Sequence, residues 1–574
     1  MKGDGSFVDA HSSVLAEVKS GIADLVRKAI AKAKETGDLP GHLNPEVKLD
    51  APPKSDQGDF ATAVAMAVAR EMKADGRSVA GIIVKHLYID DSLVKRVDIA
   101  GPGFLNFFLD SAWLEAAMAR IWTDGPSYGR TGHGAGKRVL VEFVSANPTG
   151  PLNVVNARAA AVGDCLSSLL DMSGYQVERE FYINDAGNQV DLLADSLEAR
   201  YCQALGQVAE IPENGYRGEY LADLGRKICG EKGGSLLGMD SAERHEFLKK
   251  RALETMIEDQ RNTLLAYGLK FDTWFSEKTL LDSGAYLNAM ETLRSNGLTY
   301  EMDGAVWFKS TEFGDDKDRV VVKSDAAGSV TYIVPDLAYH RNKIERGFDL
   351  LIDILGPDHH GYQQRLRAGL MGLGYPKECL EVMIVQMVRL VRGGEAVKMS
   401  KRGGEFVSMQ ELLEEVGKDA GRFFFLMRSP ESHLDFDLDL ARLQSNENPV
   451  YYVQYAHARI ASILRQARQE GYSASAGPNE VKFSLLRDPS ETALMKMLAA
   501  FPEEIREIAR AREPNRLITY VTEVAAAFHS FYTKCRVIGD DRDLTDARLY
   551  LARLTQIVLA NALRVAGISA PEAM

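Results

Sequence analysis

Two stretches of this chain carry residue types whose chemistry points to a phosphate-bearing ligand. The first runs Val141-Glu142-Phe143-Val144-Ser145-Ala146-Asn147-Pro148-Thr149-Gly150-Pro151-Leu152-Asn153-Val154-Val155-Asn156-Ala157-Arg158. An apolar strand pattern enters a loop broken by proline and glycine, and a helical pattern follows. Such a turn aims the free N–H groups of a helix start at an anion. The plainer reading is a connection in which Asn153 or Asn156 only caps the helix. The second stretch is Glu395-Ala396-Val397-Lys398-Met399-Ser400-Lys401-Arg402-Gly403-Gly404. Three cations beside paired glycines suit a loop that closes over a triphosphate and offsets charge developing at the α-phosphate. Its plainer reading is a solvated basic loop, but Lys398-Met399-Ser400-Lys401 downstream of a strand-loop-helix is a specific string.

The elements that must position these stretches follow from periodicity. Apolar runs at 139–143, 177–183, 350–355 and 382–388 alternate with long helical patterns, the signature of a parallel sheet in an α/β domain, with a helical insertion around 190–270. Before them, a helical segment, a mixed stretch at 59–71 and short strands at 97–99 and 105–109, separated by Ala100-Gly101-Pro102-Gly103, make a small α+β module. Gly129, Gly132, Gly134 and Gly136 read as a linker or mobile loop. Beyond about Asn448 the strands stop. Tyr452, Tyr455, Ala456, Ile460, Ile463 and Ala467, then Leu517, Tyr520, Val521, Val524, Phe528 and Phe531, recur at helical spacing, and a last helix closes on Gly567.

At 574 residues with a net charge of −13, the chain is too long for one core and too acidic to coat nucleic acid non-specifically, so any RNA contact is expected on one face. Five scattered cysteines without a C-x-x-C pair indicate buried thiols in a reducing cytoplasm, with neither disulfides nor zinc. No apolar run approaches the roughly 20 residues that cross a bilayer.

The chemistry-bearing residues also carry a resemblance. Lys398-Met399-Ser400-Lys401 resembles the second signature of class I aminoacyl-tRNA synthetases, and Ser145-Ala146-Asn147-Pro148-Thr149-Gly150-Pro151-Leu152 is similar to the arginyl branch. Gly58-Asp59-Phe60-Ala61-Thr62 and Gly101-Pro102-Gly103-Phe104-Leu105-Asn106 resemble that branch's N-terminal domain. Asp336-Leu337-Ala338-Tyr339-His340 and Gly356-Pro357-Asp358-His359-His360-Gly361-Tyr362 resemble its catalytic domain, and Tyr451 to Arg459 and Gly567 to Glu572 its anticodon-binding bundle. One departure stands out: where the family pattern reads His-x-Gly-His, this chain has Asn153-Val154-Val155-Asn156. Asparagine can still donate a hydrogen bond but never becomes cationic, and Val155 fills space that glycine leaves open.

The resemblance implies a Rossmann-type parallel-sheet catalytic domain at 126–445, an N-terminal α+β tRNA-contacting domain at 1–125 and an all-α anticodon-binding bundle at 446–574. It implies activation of arginine by ATP with Mg²⁺ and transfer to the 3′ end of tRNA(Arg), by a cytoplasmic monomer. Asn153, Val155, Asn156, Lys398, Met399, Ser400 and Lys401 would hold ATP, with both lysines and both asparagines serving catalysis. Asp336 and Tyr332 would meet the substrate guanidinium, which calls for carboxylates set for paired hydrogen bonds. Glu142, Ser145 and Asn147 would surround the rest of the arginine, and the loop of His359 would line the site. Adjacent His359 and His360 without set-spaced partners make a poor metal pair. Tyr455, His457 and Arg459 could meet splayed anticodon bases, although Tyr455 falls on the apolar stripe.

Overall fold

The computed structural model describes residues 13–52, 54–89, 93–325, 329–359, 361–397, 407–472 and 477–574. Helix Val14–Glu35, capped by the Ser13 hydroxyl, opens the N-terminal region. It is followed by a three-stranded antiparallel sheet ordered Phe60–Thr62, Phe104–Leu109, Val94–Ala100. The turn between the last two strands requires its glycine: Gly103 has φ +132°, and a Cβ there would lie 2.6 Å from the Gly76 carbonyl oxygen.

The centre is a five-stranded parallel sheet ordered Leu380–Ile384, Leu350–Leu355, Arg138–Phe143, Gln176–Ile183, Thr273–Ser276. The chain starts in the middle strand, builds outward to one side and then returns to build the other. The carboxyl end of Arg138–Phe143 therefore lies at the switch point where open α/β sheets bind ligands. Helix Val154–Met172 covers this strand with residues buried nearly all round its axis. It lies close because of Gly163, where a Cβ would sit 2.2 Å from the Phe143 ring.

Several sequence expectations change here. The run 382–388 is not one strand. Leu380–Ile384 ends in the large sheet, the Gln386 N–H turns away to the Pro430 carbonyl, and Val388–Arg392 joins a separate sheet with Glu395–Ala396 and Leu434–Asp437. Strand Thr273–Ser276 and the antiparallel sheet Thr299–Met302, Ala305–Phe308, Arg319–Val322 are too short to give a clear period. The glycine-rich segment 129–136 is pinned rather than free: Thr131, Gly134 and Gly136 N–H groups donate to the carbonyls of Met172, Ser173 and Gly174.

The insertion is helical as expected, with Asn188–Ala204, Glu219–Lys232 and Ser241–Ala266. The C-terminal region is a bundle of Pro449–Gln469, Pro489–Ala511, Asn515–Lys534 and Arg542–Val565, in which Ala456, Ile460, Val521, Phe528, Leu554 and Val558 are buried. All five cysteines are free. Among the described residues no helix is long and apolar enough to cross a membrane.

Candidate active site

Strand Arg138–Phe143 ends in a strained turn: Val144 and Ser145 take φ of +69° and +36°, a region that side chains with a Cβ rarely adopt. Hydrogen bonds hold it there. The Ser145 hydroxyl donates to Glu142 Oε1 at 2.8 Å and accepts from the Tyr182 N–H at 3.1 Å. Asn147 is exposed, its amide donating to Gln189 Oε1 at 2.9 Å. Gln260, a buried residue of the insertion, donates to the carbonyls of Asn147 and Gly150 and so ties down the proline-glycine loop.

The loop ends at Asn153, which caps helix Val154–Met172 in a reciprocal box. Its Oδ1 accepts from the N–H groups of Val155 and Asn156 at 2.9 and 3.1 Å, while Asn156 Oδ1 accepts from the Asn153 N–H at 2.9 Å. Val155 is half-buried beside them. An antiparallel bridge joins Asn153 to Ser408, and the Met409 N–H donates to the Leu152 carbonyl at 2.7 Å. Lys398, Met399, Ser400 and Lys401 lie outside the described residues, as does His360. One turn along the same helix, Arg158 is fully buried, with no carboxylate partner among the described residues. Its guanidinium donates to the carbonyls of Gln386, Ser432 and Ser429 at 2.8 to 2.9 Å, and burial pushes its pKa down to about 10. Sequence reasoning missed this role, because nothing local distinguishes an anchoring arginine from a solvated one.

Across the strand ends lies an acidic pocket. Asp336, in the first turn of helix Ile333–Glu345, accepts from the Tyr362 hydroxyl, and burial pushes its carboxyl up. Burial also raises Glu277, which accepts from the Tyr286 hydroxyl at 3.2 Å and feels the Asp336 charge. Tyr182 lies within the field of Glu277, Asp336 and Glu142 together, on top of its own burial, and its hydroxyl is raised accordingly. Three carboxylates converging on one region can accept several N–H bonds from a planar cation. Tyr332 takes no part in the described contacts: it is 89% exposed, and the aromatic hydroxyl at Asp336 is that of Tyr362. His359 is exposed, its ring edge-on to Tyr362 at 6.2 Å. Glu277 and Tyr362 were not singled out by the sequence. The signal available was their position at the strand end Thr273–Ser276 and in the loop after Leu350–Leu355.

Residues 20–109 match the domain family described as arginyl tRNA synthetase N terminal domain, residues 123–424 the class I (R) tRNA synthetase catalytic domain, and residues 453–574 the DALR anticodon binding domain. Among curated relatives, an arginine–tRNA ligase of Moorella thermoacetica is 48% identical over 563 residues, covering 98% of this chain and all of the relative. One of Desulfitobacterium hafniense is 47% identical over 562 residues, with the same coverage. The chain belongs to the arginyl-tRNA synthetases. It is a ligase of class I, a class that uses ATP, and it acts on arginine and tRNA. The solved Thermus thermophilus arginyl-tRNA synthetase has the same fold, with TM-score 0.74 at 22% identity over 97% of this chain and all of that one.

In this synthetase the bundle residues singled out by sequence are engaged within the bundle. Arg459 donates to the Tyr532 hydroxyl at 2.5 Å and lies over its ring, and His457 is buried with Nδ1 2.7 Å from the Pro571 carbonyl. Tyr455 stacks between Tyr451 and His529.

Proposed function

We propose that arginine binds with its guanidinium among Asp336, Tyr362 and Glu277 and its α-amino end near Glu142, Ser145 and Asn147. Tyr332 is proposed to close on the guanidinium from the rim. ATP would lie across the Asn153–Asn156 turn, with Val155 against the adenine and Lys398, Met399, Ser400 and Lys401 along the phosphates. The arginine carboxylate attacks the α-phosphorus in line, a mixed anhydride forms, and pyrophosphate leaves with the broken P–O bond. A terminal ribose hydroxyl of tRNA(Arg) then attacks the acyl carbon, AMP leaves, and the hydroxyl proton passes to solvent. No covalent enzyme intermediate is needed, so catalysis is positioning plus charge neutralisation. Among the described residues no group of three or more His, Cys, Asp or Glu forms a cage for a metal. Mg²⁺ would come in on the ATP phosphates.

The observation that supports this reading most is the Asp336 carboxyl, bonded by the Tyr362 hydroxyl on a helix whose Lys343 bonds Glu142 at the end of the middle strand of the sheet. We further propose that the bundle from about Asn448 reads the anticodon, that residues 1–125 touch the outer corner of the tRNA, and that the protein works as a cytoplasmic monomer. The test is ATP–pyrophosphate exchange with arginine and tRNA(Arg) present. Exchange that depends on arginine supports the reading. No exchange and no ATP binding would make the chain an impaired relative that only carries tRNA.

A further inference from the structure

Behind the acidic pocket, Asp353, Glu142 and Glu180 are direct register partners on three adjacent strands, forming one row of buried carboxylates across the sheet. Like charges opposite one another in a sheet repel, and buried charges need partners. Apart from the Ser145 hydroxyl on Glu142, the partners described for this row come from one face of helix Ile333–Glu345 and its C-cap. Lys343, fully buried, reaches Glu142 Oε2 and Asp353 Oδ1. The Tyr339 hydroxyl donates to Glu180 at 2.7 Å, and Arg346 bonds Glu180 at 2.6 Å and Glu178 at 3.1 Å. His340, 4% exposed, sets Nδ1 2.7 Å from the Asp336 carbonyl oxygen and Nε2 2.6 Å from Asp353 Oδ2.

We propose that His340 and Lys343 are positioning residues, which join the main chain at Asp336 and the Glu142 carboxylate, the two sides of the arginine pocket, through Asp353 into one buried hydrogen-bonded chain. The inference rests on the reading that Asp336 and Glu142 face the substrate. The links run from the Asp336 main chain to His340, to Asp353, to Lys343, to Glu142, and on to Ser145 and the Tyr182 N–H. A carbonyl oxygen only accepts, so Nδ1 carries a proton. Burial opposes ionisation of Asp353, but Lys343 and His340 beside it hold its carboxyl well below the usual range, and its two oxygens lie 3.0 Å from Lys343 Nζ and 2.6 Å from His340 Nε2. The ring is thus held at both nitrogens. The groups facing it are Asp353 and Glu142 from two strands and Asp336 and the Tyr339 ring from its own helix. Burial pushes the Glu142 carboxyl up, and the fully buried Lys343 beside it opposes that shift while fixing where the carboxyl points. The substrate then meets carboxylates whose orientation is already fixed, which is how a site gains affinity without new contacts.

The test combines ¹⁵N-histidine spectra of the whole protein with arginine and ATP measurements on His340→Gln and Asp336→Asn. The resonance lost in His340→Gln is expected to report a proton on Nδ1, the nitrogen that faces the Asp336 carbonyl; an unprotonated Nδ1 there overturns the chain. His340→Gln is expected to weaken arginine binding about tenfold, the equivalent of one charge-assisted hydrogen bond, while the KM for ATP stays within about twofold. A purely structural role would move both together and so overturns the inference. If Asp336→Asn weakens arginine binding but His340→Gln leaves it unchanged, the chain is wrong and the pocket stands. If Asp336→Asn itself leaves arginine binding unchanged, the pocket reading fails first. Should His340→Gln not fold, Lys343→Arg keeps the charge, and its retained arginine affinity beside a loss in Lys343→Gln carries the same comparison.

Discussion

At the end of the site proposed for arginine, the fixed groups are side-chain charges: three carboxylates in one sheet row, answered by Tyr339, His340, Lys343 and Arg346 from one helix. At the end proposed for ATP they are backbone groups. The Asn153–Asn156 turn is held by its capping box, by the bridge to Ser408 and by three carbonyls gathered on Arg158. The two constructions tolerate change differently. Deleting one member of a buried charge network leaves an unpaired charge in low dielectric. A turn defined by backbone asks only that some side-chain oxygen accept the free N–H groups. That is how Asn153-Val154-Val155-Asn156 keeps its helix start where the family pattern has His-x-Gly-His.

The largest effect should come from Lys343→Met, which leaves Glu142 and Asp353 facing each other without the ammonium they share. About 3–5 kcal/mol of stability should be lost, read as an earlier first transition in urea unfolding. A shift below about 1 kcal/mol would mean the carboxylates are not relying on Lys343. Asp336→Asn comes next, with about 1.5–3 kcal/mol of arginine binding expected to go, measured by calorimetry. The pH sign follows from burial raising this carboxyl. As pH falls, Asp336 gains its proton earlier than an ordinary aspartate, so arginine affinity should decline on mild acidification. In Asp336→Asn that limb should flatten.

Much of this was legible in sequence. The parallel core, the helical insertion and the bundle followed from apolar runs and their spacing, and Asn153 was open to being read as a cap, which it is. What stayed hidden was set by tertiary register. Nothing near Glu180 or Asp353 marks them as buried and paired: Glu180 follows the charged Glu178 and Arg179, Asp353 interrupts an apolar run, and each finds its partner only when Ile333–Glu345 lies across the sheet. Tyr332 and Tyr362 show the same limit. Four residues before Asp336, at the cap of its helix, Tyr332 looks like the pocket's aromatic, yet it is Tyr362, at the start of helix Tyr362–Gly372, whose hydroxyl reaches Asp336.

The backbone-held end supplies the two smaller effects. Arg158→Lys keeps the charge but cannot span three carbonyls, and losing part of that set should cost about 1–2 kcal/mol. The loss should raise the KM for ATP while leaving arginine affinity alone, whereas equal changes in both would place Arg158 in general packing. The smallest and sharpest test is the cap itself. Asn153→Ala removes the oxygen that accepts from Val155 and Asn156, and a lost cap costs about 1 kcal/mol. Because this loss is local, it should appear as roughly fivefold faster hydrogen exchange at those two amides rather than as a change in global unfolding. Asn153→Ser offers another cap oxygen at the same place and should restore slow exchange, since serine caps about as well as asparagine. If Asn153→Ser exchanges as fast as Asn153→Ala, the turn depends on asparagine as such. The contrast with the arginine end would then collapse, because both ends would rest on irreplaceable side chains.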